Sequence, residues 1–198
     1  MTRLHPFINH LVLAGAVALG ASVAVASEAP PAEVGTRSTL ALTYPDGSRT
    51  AVDLVGAGVP GAALGQAEVQ RKSGRTSLKV RLEPLPHPQS LGAAYTTFLL
   101  WAVAPEGRAE SLAELPHGQP IRIQVTTALP AFGLVVTAEP HAAVTRPGPL
   151  LVAENVANEK TRGLIHTARI EYGGAAEVLP ATAARDLASP LPLLGARH

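Results

Sequence analysis

Proline and glycine, 18 of each in 198 residues, punctuate this chain so often that long regular elements have little room to form. Between Thr39 and Tyr172 no 12-residue segment repeats its apolar residues at helical spacing. Proline has no ladder donor, so it breaks strands as well as helices. What survives is a series of short β-like runs joined by turns, the pattern of an all-β fold. With no cysteine, such a fold has no disulfide staple and no thiolate chemistry, and it must be held by burial alone.

The runs can be placed individually. Leu40, Leu42 and Tyr44 alternate with small or polar residues, Pro45-Asp46-Gly47-Ser48 is a turn, and Ala51 to Val55 is the expected return strand of a first hairpin. A second hairpin joins Ala67–Lys72 to Arg75–Glu83 through Ser73-Gly74. A two-residue loop there sets Val69 opposite Leu78, Ala67 opposite Val80, and Glu68 opposite Lys79. Pro84, Pro86 and Pro88 predict an extended crossover. Tyr95 to Val103, which holds the only Trp, reads as a central strand buried on both faces, with Trp101 in the core in preference to a ligand-stacking role for Trp101 or Tyr95. Ile121, Ile123 and Val125 mark a half-exposed strand, Phe132–Thr137 a buried one, and Leu150–Val156 and Thr167–Tyr172 two more. The sum is an immunoglobulin-like β-sandwich of about eight strands, expected over residues 39–174.

Outside that region the composition changes. Residues 1–26 carry Arg3, an apolar run from Leu11 to Val25 and the A-x-A pattern Ala24-Val25-Ala26, which together read as a cleaved export signal in preference to a retained anchor. Residues 27–38 read as a flexible lead-in and 175–198 as a poorly ordered tail. The chain has 16 basic and 15 acidic residues, and loss of Arg3 makes them equal. That balance offers no long-range attraction to nucleic acid or anionic lipid. The reading is of an exported protein, periplasmic or extracellular, with no stable membrane insertion after cleavage.

Chemistry is harder to find. Gly56-Ala57-Gly58-Val59-Pro60-Gly61 is a literal G-x-G-x-x-G, with Glu83 22 residues beyond Gly61. A dinucleotide site needs a helix from Gly61 onward, and Ala62–Lys72 patterns as a strand, so the motif reads as a loop. His87, His117, His141 and His166 lack partners at ligand spacing and read as exposed loop histidines. Asn155 reads as a residue of a strand-end turn. The sequence nominates no catalytic, cofactor-binding or metal-ligating residue. The alternative is a hydrolase site assembled from loops around Glu139 and His141.

Two blocks add a resemblance. YTTFLLWAVAPEGRAESLAEL, from Tyr95 to Leu115, and FGLVVTAEPHAAVTRPGPLLVAEN, from Phe132 to Asn155, resemble a family of uncharacterised exported bacterial proteins, as does the preceding AEVQRKSGRTSLKVRLEPL. More distantly, the Tyr/Trp and VTAEP landmarks are similar to the extracytoplasmic β-sandwich of anti-sigma-K factors, without the sigma-binding helices or the central membrane helix of that family. The resemblance implies a sandwich module outside the cytoplasm and does not imply sigma-factor binding. It supplies no catalytic residues. The favoured reading is a noncatalytic module of the cell envelope that works through strand-edge or loop contacts with another protein or with the cell wall.

Overall fold

The computed structural model describes residues 35–57, 63–172 and 177–178, all within the compact unit Ala32–His198. The expected export segment and most of the expected tail lie outside the described residues. The protein is all-β. Its strands are β1 (Thr36–Thr43), β2 (Arg49–Gly56), β3 (Ala63–Lys72), β4 (Arg75–Leu82), β5 (Thr97–Val103), β6 (Ala109–Leu115), β7 (Ile121–Thr127), β8 (Ala131–Glu139), β9 (Leu150–Ala157), β10 (Leu164–Glu171) and the two-residue β11 (Glu177–Val178). A 3-10 turn, Pro88–Leu91, interrupts the proline-rich crossover. Among the described residues no helix is long and apolar enough to cross a membrane.

The first ten strands pair antiparallel, and β11 adds parallel to β9. The ladders run β6-β5-β8-β9-β2-β3-β4-β7, and the two end strands meet where the Thr127 hydroxyl on β7 donates to Glu110 on β6 at 2.7 Å. The sheet therefore curls until it nearly closes, its halves facing each other across one core as sandwich layers do. Leu54, Leu78, Val80, Phe98, Leu100 and Val136 are among the residues that fill it.

Strand β5 is the pivot. All seven of its residues are buried, because alternate side chains serve two cores. Phe98, Leu100 and Ala102 face the main one, while Leu99, Trp101 and Val103 pack with Val135, Leu151, Ala168, Ile170 and Tyr172 in a second. The β1–β10 ribbon supplies part of that second core.

The second hairpin has the expected register, with Val69 opposite Leu78, Ala67 opposite Val80 and Glu68 opposite Lys79. Its loop residues Ser73 and Gly74 both take positive φ, 52° and 77°, the geometry that matches a two-residue hairpin to the twist of its strands. The first hairpin does not form. β1 pairs with β10 and with the start of β8, whereas β2 pairs with β3 and β9. Turn Pro45–Ser48 instead carries the chain from one layer to another, and the Gly47 amide donates to the carbonyl of Arg71 at the far end of β3. β1 also starts at Thr36, inside the segment expected to be a lead-in. Strand β6 went unrecognised because AESLAEL is a half-exposed edge with a bulge at Leu112 and no period-two alternation.

Candidate functional site

The two carboxylate and imidazole candidates, Glu139 and His141, separate at the end of β8. Glu139 is still in the strand and is 1% exposed, whereas His141 lies on the surface. The buried carboxylate sits at the end of a relay of hydrogen bonds. Trp101 Nε1 donates to Thr137 Oγ1 at 2.8 Å, and that hydroxyl donates to Glu139 Oε1. The Gly148 amide donates to the same oxygen at 2.7 Å. Burial raises the Glu139 pKa above the usual carboxylate range, against the lowering influence of the Thr137 and Gly148 hydrogen bonds and of His141. Gly148 backs directly on this group, since a Cβ there would lie 2.6 Å from Oε2. The arrangement fastens the β9 approach onto β8, and its carboxylate is enclosed by packing.

The histidines divide. His87, His117 and His141 are exposed as expected, but His87 and His117, from loops far apart in sequence, meet edge to face with ring centroids 4.5 Å apart. His166 is in strand β10, half-buried, with Nε2 2.6 Å from Thr43 Oγ1. Among the described residues no group of three or more His, Cys, Asp or Glu side chains is placed to hold a metal ion.

Asn155 is not at a turn. It is buried within β9, where Oδ1 accepts the Leu134 amide at 2.6 Å. That amide lies in the interval of β8 between the residues paired with β1, ending at Phe132, and those paired with β9, starting at Val135. The side chain thus substitutes for a ladder partner where two neighbours succeed one another. Trp101 is a core residue, 1% exposed. Of the glycine motif, Gly56 ends β2 and Gly58–Gly61 lie outside the described residues, but the helix that a dinucleotide site would need is replaced by strand β3.

The edges of the sheet are unequal. β6 displays Glu110, Ser111 and Glu114 and is bulged, both of which discourage strand addition. β7 is met by β6. β10 is different: among the described residues its only ladder is to β1, and it exposes Leu164 and Ile165 by 70% and 61%. Large apolar side chains on an unpaired edge are what natural sheets ordinarily avoid. Sequence reading missed this, since burial of an isolated apolar pair is decided by which strand covers it.

No known family, curated protein or solved structure matches this chain.

Proposed function

We propose that this protein is a noncatalytic module of the cell envelope that takes up an extended segment of another protein along β10. The observation that carries the reading is the β10 edge, with exposed Leu164 and Ile165 next to backbone that no other described strand pairs. Strand addition needs an open edge for main-chain hydrogen bonds and apolar side chains for anchoring, and β10 offers both. Support for export comes from the signal-like residues 1–26 and from the two sequence blocks that resemble an exported family. The hydrolase alternative loses ground on geometry. The Glu139 carboxylate is enclosed beneath Gly148, whereas His141 lies on the surface.

A photo-crosslinking residue at exposed Thr167, introduced in the full chain in its native cells, tests the edge. The expected result is a crosslinked protein partner that disappears when Leu164 and Ile165 are changed to Lys, with none formed from the same probe at exposed Gln119. Equal crosslinking from both positions, persistence in the lysine variant, or crosslinking only to a second copy of the chain would each overturn it.

A further inference from the structure

The outward face of β2-β3-β4-β7 carries a second surface, independent of the β10 edge. On β4 the residues opposite the core are Arg75, Ser77, Lys79 and Arg81, three of them exposed cations. At ~3.4 Å per residue this row runs ~20 Å along the strand. Like charges are set directly opposite one another at both of its ends: Lys72 faces Arg75 across the β3–β4 ladder, and Arg81 faces Arg122 across the β4–β7 ladder. Such pairs repel and destabilise a sheet in isolation. Arg49 and Lys160 extend the positive charge onto a neighbouring cleft lined also by Gln66 and Glu68. Another shallow cleft lies between Lys79, Arg81, Arg122 and Gln124.

The carboxylates on this face are already engaged. Glu68 is 3.3 Å from Arg81, and Asp53 accepts hydrogen bonds from the side-chain amides of Gln66 and Asn158 at 3.1 and 2.8 Å. Between the cations stand Gln70, Ser77, Gln124 and Thr126, neutral groups that both donate and accept.

We infer that this face binds a linear anionic polysaccharide, its anionic groups along the β4 cation row and its hydroxyls on the intervening amide and hydroxyl side chains. Charge complementarity selects an anion, and the length of the row selects a polymer over a single ion. The outward positions of β3, β4 and β7 hold no aromatic residue, which removes the stacking platform that single-stranded nucleic acids use. They hold no large apolar side chain either, which removes the means of inserting into a lipid surface.

The test is equilibrium binding of the purified chain to polygalacturonate at low salt and at 0.15 M salt. Double reversal, Lys79→Glu with Arg122→Glu, is expected to weaken binding at least about tenfold, and the matched reversal of Arg108 and Arg169, away from the face, to change it less than about twofold. Neutral Lys79→Gln with Arg122→Gln should fall between, and thermal melts of each variant separate lost charge from lost fold. Four results would overturn the inference: no binding of polygalacturonate, equal losses in the two reversed pairs, equally tight binding of polyphosphate, or preference for anionic vesicles over the polymer.

Discussion

Glu139 shows how a single residue can be miscast by sequence. Beside Pro140 and His141 it looks like a loop carboxylate, yet β8 continues through it and seals it beneath Gly148. Its raised pKa makes a sign prediction possible. The fold favours the protonated form, so the contribution of this group to stability is complete below its ordinary pKa of 4.5 and is lost as pH rises through the higher value in the folded protein. Glu139→Gln keeps an acceptor for Thr137 and Gly148 without the ionisation. The stability of the wild type relative to this variant should therefore decline as pH rises above the ordinary carboxylate pKa of 4.5 in denaturant titrations. A difference that stays flat or rises with pH would show that the carboxylate is not held neutral. The sequence contained the apolar run leading to Glu139 but not the Trp101–Thr137 relay, which requires β5 and β8 to be neighbours.

At the scale of the element, the tight β3–β4 hairpin was legible, whereas the expected β1–β2 hairpin and the long-range pairings were not. β3 and β4 are joined by two residues whose conformation fixes the register, so Val69 and Leu78 could be matched from spacing alone. The turn after β1 leaves partner choice open, and β1 goes to β10, over a hundred residues later in the chain. β8 then has to accommodate β1 and β9 in succession, and Gly133 stands at the change. A Cβ at that position would lie 2.3 Å from the Leu40 carbonyl oxygen and 3.2 Å from Asn155 Oδ1. Because the nearer contact is backbone, Gly133→Ala should cost about 3 kcal/mol, toward the upper range for overpacking. Chemical denaturation would measure it, and a loss below about 1 kcal/mol would mean that the two strands can separate there without strain.

The whole molecule holds two cores on opposite faces of shared strands, with Leu100 and Trp101 as successive residues of β5 serving one each. Neither core can open without disturbing β5 and β8, so unfolding should be one cooperative transition. The single tryptophan reports the second core and far-UV circular dichroism reports the sheet as a whole, and their melting curves should coincide. Tryptophan exposure at a lower temperature would reveal the β1–β10 ribbon as a separately melting unit. Alternation, proline breaks and turn residues determined by themselves that the chain is all-β, which strand is buried on both sides, and how its tightest hairpin aligns, because these depend on neighbours close in sequence. The tertiary structure alone decided that β1 joins β10, that Glu139 is sealed, that β10 exposes Leu164 and Ile165 on an edge that no described strand but β1 pairs, and that cations from β2, β3, β4 and β7 share one face. Each of these depends on which distant strand lies alongside, and side-chain period constrains only which face a residue takes, not whose face it meets.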